Sequence, residues 1–279
     1  MIEQLLHSLD GVEMFHEPPT LYTLVPLIGE VNEREWRLLF ETTLYEALLD
    51  ALAGRYVNFN RHDDSYIHKA KSEENIAARL ASAHRHAELV ELARHHVVAF
   101  KIPEMVPYVG ALRSYYGGMR VVVTVRQPEA VVASLLRKGW YADSRLRGES
   151  NKWPLKRRPD VNLPFWVPDE YDERWITMNE VERCCLSYAF QYEGLVDRRE
   201  VAVVDYDNFV ANPRPAFAAL TATLGLEHGA RTETLLANVV AAPSPPDILS
   251  GDVDPAIVRR VRRTYEETRS ADLCSAAQK

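Results

Sequence analysis

The stretch from residue 120 to residue 139, RVVVTVRQPEAVVASLLRKG, constrains the fold more than any other part of the chain. Its β-branched run at 121–125 is typical of a strand that is buried on both faces, as in a parallel sheet. Pro128 suits the first turn of a helix, where its missing N–H would have no partner, and Gly139 offers a stop signal. The stretch therefore predicts a strand, a tight turn and a helix, with Arg126 at the carboxyl end of the strand.

Arg126 stands where open α/β sheets bind their ligands, at the carboxyl edge of the strands. Ser134 follows eight residues later, about two turns into the predicted helix. The planar fork of an arginine suits phosphate oxygens, and a nearby hydroxyl can share the same phosphate. The spacing thus favours a phosphate site. The alternative is a surface arginine and a helix serine with no common task.

With these residues the chain resembles the PAPS-dependent sulfotransferases, where PAPS is 3′-phosphoadenosine 5′-phosphosulfate. The family pattern of a hydrophobic strand, Arg-x-Pro and a helix with Ser eight residues after the Arg reads here as VVVTVRQPEAVVASLL. A second match, at residues 201–226, has a strand that ends at Tyr206 and a helix that starts at Asn212-Pro213. A third match is the start of the chain, where some branches place a catalytic Glu before Pro, here Glu17.

The resemblance implies an α/β fold with a doubly wound, mainly parallel sheet of the P-loop nucleotide-binding type. It implies a single domain over residues 1–279, with a lid or insertion at about 140–175. PAPS would be the donor, PAP (adenosine 3′,5′-bisphosphate) the product, and a hydroxyl of a small molecule, carbohydrate or lipid the acceptor, with no metal. By resemblance Arg126 and Ser134 grip the 3′-phosphate, Tyr206 lies near the adenine, and Lys101 matches the family's Lys-x-Pro turn.

Transfer of a sulfuryl group needs a base that takes the proton of the acceptor hydroxyl. Glu17 is the first candidate, because it follows a predicted strand and precedes two prolines that stiffen its position. His16 is the alternate base. The other interpretations are a surface carboxylate for Glu17, a solvated lysine for Lys101 and a partly buried, hydrogen-bonded tyrosine for Tyr206.

The family's first motif, a Lys- or Arg-Ser-Gly-Thr-type phosphate loop, has no counterpart in the printed sequence. The first helix is predicted at residues 1–9, so we expect the printed chain to lack sulfotransferase activity, either because its start falls inside a longer gene or because it has become a non-catalytic binding or partner protein. A third hypothesis is a small-molecule kinase, although magnesium ligands are not evident.

The composition and the residue spacing argue against several classes of protein and of site. The net charge of −7 and a pI near 5.8 argue against general nucleic-acid binding. No apolar run is long enough for a membrane span, and the N-terminus does not resemble a signal peptide. Cys184 and Cys185 are predicted as buried thiols, and Cys274 stands apart, which fits a reducing cytoplasm. His84 and His86 lack the spacing of zinc ligands. The oligomeric state is not predicted.

Periodicity and end signals predict the remaining elements. Strands are predicted at 12–15, 97–100 and 201–204, the second of them short and buried. Helices are predicted at 33–54, 72–96, 104–118, 179–196, from Asn212 to Gly225 and from Asp254 onward. Residues 140–175, rich in basic and aromatic side chains, form either a cover over an anionic donor or a solvated excursion.

Overall fold

The protein is a mixed α/β protein in which helices outweigh three small sheets. The structure, a computed structural model, describes residues 1–63, 65–81, 85–148, 155–157, 160–193, 195, 201–241 and 247–271. The described chain forms two compact units. The first comprises Met1–Leu24, Val31–Ile102 and Thr221–Val240; the second comprises Val25–Glu30, Pro103–Leu220 and Ala241–Lys279. Within the described residues, no helix has the length and apolar character that crossing a membrane requires.

A pair of parallel strands forms the centre of unit 1. Strands β1 (Val12–His16) and β2 (Val97–Lys101) pair in parallel, with His16 opposite Lys101 at their carboxyl ends. The helices of this unit are α1 (Ile2–His7), α2 (Pro19–Leu24), α3 (Glu33–Leu52), α4 (Glu73–Ala81) and α5 (His86–Ala93), and a later segment adds α13 (Thr232–Ala237). The core packs Phe15 of β1 against Leu48 and Leu52 of α3 and Leu89 of α5.

A buried ionic network lies beside this core, since Glu13 is two residues from Phe15 on the same face of β1 and is 1% exposed. Arg79 Nη2 lies 2.6 Å from Glu13 Oε1, and His7 Nε2 lies 3.5 Å from Glu13 Oε2. Lys71 Nζ is 3.9 Å from the same carboxylate and donates to the carbonyl oxygen of Val12. Burial alone would raise the pKa of Glu13, but its contacts with His7, Arg79 and Lys71 hold it far below its usual range.

Unit 2 contains the second parallel pair, β3 (Val122–Val125) and β6 (Ala202–Asp205), in which Val125 lies opposite Asp205. Helix α7 (Pro128–Lys138) follows β3 with Pro128 in its first turn, and Gly139 ends it with a φ of 58°. The predicted strand–turn–helix is therefore confirmed. The remaining elements are α6 (Val109–Tyr115), α8 (Asp143–Leu146), the antiparallel strands β4 (Leu155–Arg157) and β5 (Asn162–Pro164), α9 (Asp172–Thr177), α10 (Glu180–Glu193), α11 (Tyr206–Ala211), α12 (Pro213–Leu224) and α14 (Pro255–Arg269).

Two tyrosines of α10 occupy the side of β3 that faces away from β6. The backbone N–H of Ala202 donates to the carbonyl oxygen of Val121, so by alternation the carbonyls of Thr124 and Arg126 point the other way. Tyr192 donates its hydroxyl hydrogen to the Thr124 oxygen at 2.8 Å, and Tyr188 donates to the Arg126 oxygen at 3.0 Å. The hydroxyls thus satisfy acceptors that a further strand would otherwise bind.

A buried arginine fixes the start of α10. Arg183 is 2% exposed, and its guanidinium donates to the carbonyl oxygens of Trp175 and Tyr141 at 2.9 and 2.8 Å. It also pairs with Asp143 at 2.7 Å. These bonds tie α8 and α9 to α10, which packs in turn against α7 and α14. Cys184 and Cys185 are buried free thiols on α10, as predicted, and burial raises the pKa of both.

Four predicted details are wrong. The single helix at 72–96 is two helices, α4 and α5, and Arg85 begins the second with an extended backbone and a capping contact to Glu88. Strand β2 is only half-buried, with Val97 exposed, whereas a buried strand was expected. Strand β3 is not buried on both faces, because Thr124 is exposed. The helix expected at 104–118 is a 3-10 segment, Pro103–Tyr108, followed by the short α6.

The segment predicted as a lid, 140–175, contains α8, β4, β5 and α9 where it is described. Two of its tryptophans, Trp166 and Trp175, are 6% and 0% exposed and belong to the core of unit 2. Lys156 pairs with Asp169 and Asp172. Residues 149–154 and 158–159 of this segment, together with His84 and Cys274, lie outside the described residues.

Candidate functional site

The predicted donor-binding residues Arg126 and Tyr206 meet at the carboxyl ends of β3 and β6. Because the two strands are parallel, both residues emerge at the same edge of the sheet. The guanidinium carbon of Arg126 lies 5.0 Å from the centre of the Tyr206 ring, which is a cation–π distance. The sequence match therefore identified two residues that are in contact across 80 positions of chain.

Asp207 is a third member of this edge. Its Oδ1 lies 3.8 Å from Arg126 Nε, and its Oδ2 accepts the backbone N–H of Gln127 at 3.0 Å. The carboxylate therefore stands between the turn and the arginine, and an anion that binds Arg126 must compete with it. The contact between Asp207 and Arg126 was not predicted, because hydrophobic periodicity does not reveal which partner a carboxylate in the first turn of a helix takes.

Ser134 lies half-buried in α7, in the same strand–turn–helix unit as Arg126. Within the described part of the chain, its hydroxyl makes no hydrogen bond with Arg126. The role of Ser134 at a phosphate therefore stays a prediction.

Asp205, the last residue of β6, is a buried member of the same edge. Its side chain accepts from the backbone N–H groups of Asp207 and Asn208, so it caps α11. Arg269, from the end of α14, places Nε 2.9 Å from Asp205 Oδ2. Burial raises the pKa of Asp205, while the backbone donors and Arg269 oppose that change. The edge therefore presents two arginines and two carboxylates, which makes it nearly neutral in charge.

The predicted catalytic residues gather at the corresponding edge of unit 1. Glu17 follows β1, and its Oε1 lies 2.8 Å from Nζ of Lys101, the last residue of β2. His16 Nε2 lies 4.0 Å from the same Glu17 oxygen. Glu3, on α1, contacts His16 at 2.7 Å and Lys101 at 3.7 Å. Sequence reasoning missed Glu3, because a glutamate in the first turn of a helix is ordinary there.

Glu17 has a φ of 45°, the one positive φ among the described residues other than glycine. This left-handed conformation is costly for a residue with a Cβ, and a backbone held in it is typical of functional sites. The backbone N–H of Glu17 donates to the carbonyl oxygen of Lys101 at 3.1 Å, so the strand pairing continues into the strained residue. The fold therefore fixes where the Glu17 carboxylate points.

The charged side chains at this edge shift one another's pKa values. Pairing with Glu3 raises the pKa of His16 against the opposing effects of burial and Lys101. Burial would raise the pKa of Glu3, but His16 and Lys101 lower it. The His16 Nδ1–H is not aimed straight at the Glu3 oxygen, so the pairing is mainly ionic. Both shifts favour the charged forms of the two groups.

The predicted donor site, Arg126, Ser134 and Tyr206, lies in unit 2, and the predicted base lies in unit 1 with Lys101. Among the described residues there is no group of three or more His, Cys, Asp or Glu side chains that could hold a metal ion. No protein-family model, no curated protein and no solved structure matches the chain.

Proposed function

We propose that the protein is a sulfotransferase that moves a sulfuryl group from PAPS to a hydroxyl of a small molecule, carbohydrate or lipid. The observation that carries the proposal is the contact between Arg126 and Tyr206 at the carboxyl ends of two parallel strands. An arginine fork and an aromatic face are what a nucleotide with an additional phosphate needs, since one binds the phosphate and the other stacks on the base. The proposal includes a doubly wound sheet of the P-loop type.

Sulfuryl transfer depends mainly on positioning and on stabilising charge, as phosphoryl transfer does. In the proposed assignment, Arg126 and Ser134 hold the 3′-phosphate and Tyr206 contacts the adenine. The candidate bases for the proton of the acceptor hydroxyl are Glu17 and His16, at the strand-end edge of unit 1. Lys101, 2.8 Å from Glu17 and 3.7 Å from Glu3, supplies positive charge at this edge.

A second candidate function is nucleotide binding without catalysis. One observation favours it: Lys101 is already paired with two carboxylates. The 5′-phosphosulfate of the donor requires backbone N–H groups at a helix start together with a cation. A chain without such a group would retain only the grip on the 3′-phosphate and the adenine.

Calorimetry and a transfer assay on the full chain separate the two functions. We expect adenosine 3′,5′-bisphosphate to bind more tightly than adenosine 5′-monophosphate, because only the bisphosphate reaches Arg126. Transfer of labelled sulfate from PAPS to a panel of hydroxyl compounds would then support the enzyme, and binding without transfer would support the second function. Equal affinity for the two nucleotides would refute both.

A further inference from the structure

The first half of helix α14 is rich in arginine and contains no acid. Its first nine residues, Pro255–Arg263, include Arg259, Arg260, Arg262 and Arg263, and the first acid of the helix is Glu266. Residues three or four positions apart are neighbours on a helix surface, and like charges at that spacing destabilise the helix. The net charge of the whole chain is −7, so this segment is a local excess of positive charge.

Arg260 is held in a fixed position by Glu193, the last residue of α10. Its Nε and Nη2 donate to the two carboxylate oxygens at 2.8 and 2.6 Å, and its Nη1 donates to the Tyr171 hydroxyl at 2.5 Å. The guanidinium also lies over the rings of Tyr171 and Phe190, at 5.2 and 5.0 Å. Because the arginine and the carboxylate compensate each other, this pair adds no net charge to its surroundings.

A groove with a volume of about 710 Å³ lies against this pair in unit 2. The residues that line it are Glu193, Ala256, Arg259, Arg260 and Arg263. Arg259 and Arg263 are exposed. Among the described residues Arg259 forms no ion pair, and Arg263 has only a distant contact of 4.0 Å with the exposed Glu267, which is weak. The groove therefore carries two positive charges that are available to a ligand.

We propose that this groove binds the phosphate group of a small organic phosphate through Arg259 and Arg263. Two residues four positions apart on a helix have their Cβ atoms about 5–6 Å apart, so two long side chains can converge on one anion. The guanidinium fork matches phosphate oxygens, and two such forks balance the charge of a dianion. The small side chain of Ala256 leaves room in the groove for the organic part. This inference does not depend on the proposed function.

The groove is separate from the edge of the same unit where Arg126 lies. Helix α14 reaches that edge with its other end, where Arg269 Nε lies 2.9 Å from Asp205 Oδ2. Arg259 precedes Arg269 by ten residues, which corresponds to about 15 Å along a helix. A phosphate that binds in the groove therefore leaves Arg126 unoccupied, and the two sites can be tested independently.

Nuclear magnetic resonance of the arginine Nε–H groups in the full chain reports binding at each guanidinium. The probes are inorganic phosphate and glucose 6-phosphate at about pH 8, where both are dianions, with sodium chloride as the control at the same ionic strength. We expect saturable shifts at Arg259 and Arg263 with both phosphates and none with chloride. Tighter binding of glucose 6-phosphate would show that the groove also holds the organic part, and equal affinity would show that the phosphate alone is bound. Shifts that do not saturate, or that chloride reproduces, would overturn the proposal.

Arg262→Ala is the matched control variant. Arg262 lies on the same helix, but its nearest carboxylate is Glu129 at 3.9 Å and it does not line the groove. Arg259→Ala should weaken binding of glucose 6-phosphate about tenfold, measured at Arg263, because one charge-assisted contact is lost. Arg259→Lys keeps the charge without the fork and should lose less. Arg262→Ala and Arg126→Ala should bind as the parent does. An equal loss in Arg262→Ala would overturn the proposal, since it would indicate diffuse attraction rather than a site.

Thermal unfolding separates a ligand site from a structural role. Without phosphate, Arg259→Ala should have a Tm at or above that of the parent, because the variant loses a like-charged neighbour of Arg263. Glucose 6-phosphate should raise the Tm of the parent but not that of the double variant Arg259→Ala/Arg263→Ala. A Tm that falls by several degrees in Arg259→Ala without ligand, with no effect of glucose 6-phosphate on the parent, would assign the arginines to stability and contradict a phosphate site.

Discussion

Lys101 holds Glu17 at two points: its Nζ lies 2.8 Å from Glu17 Oε1, and its carbonyl oxygen accepts the Glu17 backbone N–H at 3.1 Å. The first contact fixes the side chain and the second fixes the backbone. Together they stabilise a conformation, with φ at 45°, that a glutamate would not adopt by itself. The pairing of β1 with β2 thus determines the geometry of the candidate catalytic edge.

The positive φ of Glu17 predicts that a glycine variant at this position is more stable than an alanine variant. Glu17→Ala and Glu17→Gly both lose the ion pair with Lys101, but only alanine keeps a Cβ at a positive φ. We expect the glycine variant to be more stable than the alanine variant by about 1 kcal/mol. Urea unfolding followed by circular dichroism measures the difference. An alanine variant as stable as the glycine variant would mean that the backbone relaxes and stores no strain.

Arg126→Ala tests the phosphate grip. Loss of a charge-assisted contact should weaken binding of adenosine 3′,5′-bisphosphate by about 1.5–3 kcal/mol, with little effect on adenosine 5′-monophosphate. Arg137 is an exposed arginine near the end of α7, so Arg137→Ala is the matched control and should bind both nucleotides as the parent does. Calorimetry gives the affinities. If the affinities for the two nucleotides fall equally, Arg126 does not bind the 3′-phosphate.

Asp207→Asn should have the opposite effect. The Asp207 carboxylate lies 3.8 Å from Arg126 Nε and competes with any anion for the guanidinium. The amide keeps the shape and can still accept the Gln127 N–H through its oxygen. We therefore expect tighter bisphosphate binding, by about 0.5–1 kcal/mol, since the pair is partly exposed and its interaction is screened. Affinity that falls in this variant would show that Asp207 helps to hold the arginine in place.

Glu13 predicts how stability depends on pH. Its folded-state pKa is held far below the ordinary value, so its contribution is complete above about pH 4.3 and is lost as the pH falls toward the folded pKa. Glu13→Gln should cost about 3–5 kcal/mol at neutral pH, because buried Arg79 and Lys71 lose their counter-charge. The parent should also lose stability below about pH 4.3 more steeply than the variant. Urea unfolding at several pH values measures both; parallel profiles would contradict the prediction.

Several strands and helices could be predicted because residues within each of them determine where it begins and ends. The β-branched run, Pro128 and Gly139 determine β3 and α7, and the side chain of Asp254 begins α14 by accepting the Ala256 N–H. The break between α4 and α5 was missed because apolar residues continue through it. A capping pair, Arg85 and Glu88, marks the restart and was the available signal.

The candidate site was predicted in part. The sequence placed four candidate residues at the ends of predicted strands: Glu17, Lys101, Arg126 and Tyr206. It could not reveal which charged residues contact them, since those residues come from distant segments of the chain. Glu3 lies 13 residues before His16 in the chain, and nothing local reveals their pairing. Glu13 did leave a signal, because a carboxylate inside the otherwise apolar VEMF strand must find a buried cation.

The tyrosine hydroxyls on the outer side of β3 have a consequence for how the protein behaves in concentrated solution. An open strand edge is a template on which other chains add strands and start aggregates. Here Tyr188 and Tyr192 already occupy the carbonyls of Arg126 and Thr124, so added chains find no free acceptors at those positions. The protection lasts only while α10 stays docked. Replacing both tyrosines with phenylalanine should therefore promote fibrillar association before it changes the fold.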